Sequence, residues 1–267
     1  MFIDIHTHAY HPKIADKVVA QLEDHYGIPA VGTARLDDLL ARAKRAGLDK
    51  VVVHNAATSP AQVIPANNWA IRIQRENPGE VVAFGTLHRD YADFEQELDR
   101  LEQAGIKGIK FHADFQGFRL DDPKLGPIYE AMSGRFVLML HVGDRLPPEL
   151  NNSSPDKVAA ILRDFPGLTV IAAHMGGLYQ WEFVVEQLVG KNVYIDTSST
   201  LPFIDDATLR RIFEGHPRER ILFGSDYPLF DPGEEIVRLR QRLSLDDAAI
   251  EQLLSTGMSL FDCNNVH

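Results

Sequence analysis

The sequence has one cysteine, Cys263, so no intrachain disulfide can form, and without a partner thiol it reads as incidental to the chemistry. Cations are scarce too: 27 Lys and Arg stand against 38 Asp and Glu, for a formal net charge of -11. That balance disfavours sequence-independent nucleic-acid binding, which relies on clustered cations facing phosphates. No apolar run approaches the ~18 residues of a membrane span, and the start MFIDIHTHAY lacks the basic and apolar segments of a signal peptide. The expectation is a cytosolic protein with no membrane or nucleic-acid partner. Catalytic signatures are missing as well. There is no G-x-x-x-x-G-K-[ST] phosphate loop, no G-x-G-x-x-G after the first strand and no G-x-S-x-G nucleophile elbow.

What is present is a repeat. In 267 residues, 45% of them hydrophobic, short β-branched runs alternate with amphipathic stretches from end to end. The runs are Phe2–His8, Lys50–Asn55, Val81–His88, Ile106–Ala113, Phe136–Gly143, Leu168–Gly176, Val193–Ser199 and Ile221–Pro228. Strands separated by helices must be parallel, and eight of them either close into a (β/α)8 barrel or spread into a doubly wound sheet. Periodicity alone does not choose between the two. No Ser/Gly-rich linker marks a boundary, so residues 1–267 are expected to form one domain. The longest irregular segments, Ala9–Thr33, Ala56–Ala66, Asp114–Pro123 and Asp144–Ser153, all follow strands, where a barrel keeps its site.

The histidines carry the functional signal. Of the 11, His6, His8, His54, His88, His112, His141 and His174 fall at or near the C-terminal ends of expected strands, and Asp196 and Asp226 end the last two. Buried parallel strands normally consist of Val, Ile and Leu, so imidazoles gathered at one rim need a chemical reason. Alternation puts His6 and His8 on one face, with Asp4 beside them, where two imidazoles can reach one ion. Such donors suit zinc, with manganese, iron or nickel compatible. His141, His174 and Asp226 each end an apolar strand, and in a closed barrel strands 1, 5, 6 and 8 would converge on a His/His/His/Asp metal set. Gly176 and Gly177 follow His174, where small residues would let the backbone approach that set.

Together, Phe2-Ile3-Asp4-Ile5-His6-Thr7-His8, His141, Ala172-Ala173-His174-Met175-Gly176-Gly177 and Phe223-Gly224-Ser225-Asp226-Tyr227-Pro228 resemble the amidohydrolase superfamily, and more narrowly its amidohydrolase-related branch. The likeness runs from Phe2 to about Phe261 in order and spacing. It implies the (β/α)8 barrel and one divalent ion, usually zinc, held by His6, His8, His141 and Asp226, with His174 beside the bound water. A second ion is not expected. The family's Asn-Ala pair near the C-terminus is replaced by Ser255-Thr256-Gly257, a departure that bears on helix packing rather than on the ligands.

Other positions are open. Lys110 and His112 share a face of strand 4, so Lys110 could bridge two metals, as some superfamily lysines do, or bind a substrate carboxylate. Arg119 and Arg145 lie in loops where a guanidinium could clamp an anion. His54 and His88, ending strands 2 and 3, could line the pocket but read at least as well as ordinary hydrogen-bonded residues, His11 reads as part of a loop over the site, and His25 and His216 as solvated. The function expected is metal-dependent hydrolysis of an amide, ester or lactone in a small molecule, with Asp226 as base and His174 as the polarising group. Three alternatives remain: a zinc-dependent non-oxidative decarboxylase, a phosphodiesterase weakened by the acidic charge, and a metal-binding barrel without catalysis. A homodimer is compatible with such barrels, but no patch in the sequence argues for one.

Overall fold

The β-branched runs form eight strands in the computed structural model, which describes residues 1–261, so that Cys263 lies outside the described residues. They are β1 (Ile3–Thr7), β2 (Lys50–Val53), β3 (Val81–Thr86), β4 (Gly108–Phe111), β5 (Val137–Leu140), β6 (Thr169–Ala172), β7 (Tyr194–Asp196) and β8 (Ile221–Leu222). Neighbours pair in parallel and in chain order. Beyond β8 the chain returns to β1: Ile5 N–H donates to the Phe223 carbonyl at 2.9 Å, Asp226 N–H to the His6 carbonyl at 2.8 Å and His8 N–H to the Tyr227 carbonyl at 2.8 Å. These bonds nearly close the sheet into the expected (β/α)8 barrel.

The two faces of the sheet bury different clusters. Ile5, Val52, Phe84, Met139, Ile171 and Leu222 fill the interior, while Val51, Val53, Ile109, Leu138 and Val170 pack outward against the helices. In β1 the alternation is interrupted. Asp4 pairs with Val51 but Thr7 with Val53, so β1 carries one extra residue between them. The bulge lets Ile3 and Ile5 face the interior low in the barrel and His6 and His8 face it at the mouth. Asp4 is therefore not on their face as expected. It is buried, accepts from the His6 N–H at 3.1 Å and the Ser225 N–H at 3.0 Å, and burial pushes its carboxyl up to about 7.

The segments read as loops are partly helical. Ala9–Thr33 contains the helix Pro12–Tyr26, begun by Pro12 at its first turn and capped by the His11 side chain, which accepts from the Lys13 N–H at 3.2 Å. Ala56–Ala66 runs into the helix Val63–Glu76, and Ala113–Gln116 is a short helical turn. Gly176 and Gly177 do not make room for the site. A Cβ on Gly176 would meet Val184 at 3.0 Å, and one on Gly177 would meet Val184 at 2.9 Å and Pro155 at 3.0 Å, so their small size serves helix packing. Among the described residues no helix is long and apolar enough to cross a membrane.

Candidate metal centre

The C-terminal mouth of the barrel opens into a cavity of about 990 Å³ lined by His6, His8, Lys110, His112, His141, His174 and Asp226. One wall comes from the helix Pro12–Tyr26, whose Ile14, Val18, Leu22 and His25 recur at helical spacing; Trp69 stands in another. The backbone aims two of the polar groups. His174 (φ 63°), two residues beyond β6, and Asp226 (φ 67°), four residues beyond β8, both adopt left-handed conformations. That region is uncommon for side chains with a Cβ and is concentrated at functional sites. Gly224 supplies the close approach between β8 and β1, because a Cβ there would lie 2.7 Å from that of His6.

Four histidines are oriented by their outer nitrogens. His6 Nδ1 donates to Asp196 Oδ2 at 2.9 Å, His8 Nδ1 to the His54 carbonyl at 2.7 Å, His174 Nδ1 to the Ser198 carbonyl at 3.1 Å and His141 Nε2 to the Gly143 carbonyl at 3.1 Å. A carbonyl or carboxylate can only accept, so each outer nitrogen carries the proton and each inner nitrogen a lone pair. The inner atoms then face one another. His8 Nε2 lies 3.1 Å and His6 Nε2 3.4 Å from Asp226 Oδ1, and His174 Nε2 lies 2.9 Å from His141 Nδ1. Lone pairs at such distances repel unless a proton or a cation lies between them. A cluster of nitrogen and oxygen acceptors with no donor among them fits a divalent ion of the borderline type.

The structure brings His6, His174 and Asp226 together, with one ligand atom of each within 4.8 Å of the others. His8 joins through Asp226. His141 falls in a different group, with His112 and Asp114, and reaches the first only through His174. Its ring stacks on His112 at 3.8 Å, and His112 in turn stacks on Phe115 at 3.9 Å. Lys110 lies 1% exposed at the cavity with no hydrogen-bond partner on Nζ, and burial lowers its ammonium to about 8, against the opposing pull of Asp196 and Asp226.

Charge is tuned throughout. Burial, then the Lys110 charge, holds His6 down to about 4, which keeps its inner nitrogen free at neutral pH. Burial opposes ionisation of Asp196 and Asp226. The nearby His6 and His174 outweigh it, together with hydrogen bonds from His6 and Ser198 in the first case, setting Asp196 to about 2 and Asp226 well below the usual carboxylate range. The Ser199 hydroxyl donates to Asp226 Oδ2.

Other expected residues lie elsewhere. Arg145 does not line the cavity: it is exposed, with its guanidinium 5.3 Å from the Tyr179 ring. Arg119 is bound at 2.9 Å by Asp121 through both guanidinium arms. His88 accepts from the Asp90 N–H at 3.2 Å, and His216, expected in solvent, is buried and donates to the Val193 carbonyl at 2.9 Å. His11 lines the cavity, as does His25 at its outer edge. The sequence alone assigns no role to Asp196, Ser198 and Ser199. Their only signal is the carboxylate at the end of strand 7. Nor does it mark Tyr26, whose hydroxyl lies 3.3 Å from His112 Nε2.

Barrel and donor cluster together define a (β/α)8 enzyme of the metal-dependent kind. The chain belongs to the amidohydrolase family, whose model, described as Amidohydrolase, matches residues 3–256. Solved structures share the fold. The 5-carboxyvanillate decarboxylase of Sphingomonas paucimobilis matches at 17% identity, over 97% of this chain and 98% of that one, with a TM-score of 0.73. A dihydroxybenzoic acid decarboxylase from a Polaromonas species, with bound manganese, matches at 15% identity over 99% and 98%, with a TM-score of 0.72. A putative 2-pyrone-4,6-dicarboxylic acid hydrolase from Pseudomonas putida matches at 16% identity over 97% of each chain, with a TM-score of 0.68. No curated protein matches by sequence.

Proposed function

We propose that the protein is a metal-dependent hydrolase that cleaves an amide, ester or lactone bond of a small molecule in the cavity at the barrel mouth. The observation that carries this reading is the set of inward lone pairs on His6, His8, His141, His174 and Asp226, with outer nitrogens already committed to acceptors. His6, His8, His141 and Asp226 are the residues that would hold the ion. When bound, a divalent ion supplies a Lewis acid and lowers the pKa of water toward ~7.

The protein's own groups supply the rest. Asp226 is ionised, with Ser199 donating to its Oδ2, and its carboxylate accepts the water proton. His174 Nδ1 is fixed on the Ser198 carbonyl, so proton exchange with substrate runs through Nε2. Burial lowers the pKa of His174 against the pull of Asp226 and Asp196, so the ring is neutral at rest; the water proton taken by Asp226 passes to the leaving group through His174 Nε2, which when protonated donates to the developing oxyanion. Lys110, a buried cation without a partner, takes an anionic group of the substrate.

Non-oxidative decarboxylation is the second reading. It is favoured by the fold shared with two decarboxylases and by the same unpartnered Lys110, which suits a carboxylate. The test starts with metal content per chain, in wild type and in His6→Ala with His8→Ala. About one equivalent, lost in the double variant, supports the centre; two equivalents would make Lys110 a bridging ligand. The loaded protein is then assayed on lactones, amides and carboxylated aromatics. Acid, alcohol or amine release supports hydrolysis and carbon dioxide release supports decarboxylation. Bound metal with no turnover on any of them would leave a binding barrel.

A further inference from the structure

We propose that His54 is an additional metal ligand, which joins His6 and His8 in a three-imidazole face on the β1–β2 side of the mouth. The proposal rests on the reading of the mouth as a metal centre. His54 follows Val53 at the end of β2, and alternation puts it on the inner face with Val52. Its ring lies 4.5 Å from that of His6 and 4.7 Å from that of His8, edge-on to both, and one nitrogen from each of the three rings lies within 4.8 Å of the others.

The decisive feature is what His54 lacks. Both of its ring nitrogens are buried without a hydrogen-bond partner. Every other buried histidine among the described residues has at least one ring nitrogen engaged: His6, His141 and His174 as above, and His88, His112 and His216 through backbone or side-chain partners. A neutral imidazole carries one donor and one acceptor, and leaving both unpaired in the interior is unfavourable unless something absent from the chain itself takes a lone pair. The His54 carbonyl already fixes His8 Nδ1, so its main chain and side chain act on the same pair of histidines. A further imidazole makes the donor set richer in nitrogen, which favours zinc, cobalt or nickel over manganese.

The test uses wild type, His54→Leu and His54→Asn, stripped with a chelator. Zinc and manganese affinities are measured by competition with a chromophoric chelator, the visible spectrum is recorded after cobalt loading, and the stripped forms are melted. Neither substitution removes the carbonyl that holds His8. Both variants should bind zinc at least about tenfold more weakly, with a smaller loss for manganese and altered cobalt bands. Stripped His54→Leu should melt no lower than wild type, since an apolar side chain replaces an unpaired polar ring. Zinc affinity and cobalt spectra equal to wild type in both variants would overturn the proposal and assign the ring to a buried water. If His54→Leu does not fold, His54→Asn decides. Failure of wild type itself to bind any ion would overturn the metal centre, and this proposal with it.

Discussion

The two ends of the barrel are built from the same eight strands, yet they obey opposite rules. At the N-terminal end Ile3, Ile5, Val52, Phe84, Met139 and Leu222 meet Met258, and the short helical turn Gly257–Leu260 covers them, with Phe261 against the Phe84 ring. Every group there is apolar and has neighbours that suit it. At the C-terminal end, further along the same strands, imidazoles face a carboxylate, Lys110 and His54 have no partners, and His174, Met175, Ser199 and Asp226 adopt left-handed backbone. One end supplies stability by packing, and the other spends part of it on unsatisfied groups that a ligand would satisfy.

That contrast can be broken from either side. The largest effect is expected at the mouth. Asp226→Asn removes a charged donor and the proposed base, and turnover should fall by about 10²–10⁴, as general-base loss does; full turnover with metal bound would remove Asp226 from that role. At the closed end, Met258→Ala should cost about 2 kcal/mol of stability in denaturant unfolding and leave metal affinity unchanged. A parallel loss of metal affinity would show that the two ends are coupled. Asp196→Asn is smaller in effect and more specific. It keeps the shape but weakens the acceptor that orients His6, and metal affinity should drop by about tenfold to a hundredfold, read by chelator competition with the fold intact by circular dichroism.

The asymmetry also explains which features the sequence shows. All eight strands were legible, because buried β-branched runs separated by helical periodicity survive any detail of closure. The strand ends were not. The expected strand Leu168–Gly176 shrinks to Thr169–Ala172, where left-handed backbone at His174 and Met175 ends the regular pattern, and Ile221–Pro228 shrinks to Ile221–Leu222, beyond which Phe223, Asp226 and Tyr227 bond to β1 instead. Nothing in side-chain alternation encodes that conformation. The bulge in β1 is equally invisible, and it alone moves Asp4 off the histidine face. Asp196 was seen only as a strand end. Its contact with His6, 190 residues away in the chain, depends on strand register across the closure. The helix Pro12–Tyr26 was hidden for a different reason: its apolar side lines a cavity rather than the core, so only Ala15 and Leu22 are buried.

The smallest effect concerns a buried carboxyl outside the donor cluster. Glu235, in the helix Pro232–Leu243, is 1% exposed, and one of its oxygens, Oε2, has no partner, although the other accepts from Arg238 at 2.9 Å. Burial pushes its carboxyl from 4.5 up to about 7, against the pull of Arg238. The folded state therefore holds this proton over a range in which the unfolded chain has released it. Because stability falls with pH wherever the folded state binds more protons, Glu235 lowers stability as pH rises from about 4.5 to about 7, and its full cost is reached above that. Glu235→Gln keeps the shape and removes the titration. The variant should match or trail wild type at pH 5 and gain about 1 kcal/mol relative to it at pH 8, measured by urea unfolding at both values. A difference that stays constant between the two pH values would show that Arg238 holds Glu235 ionised throughout.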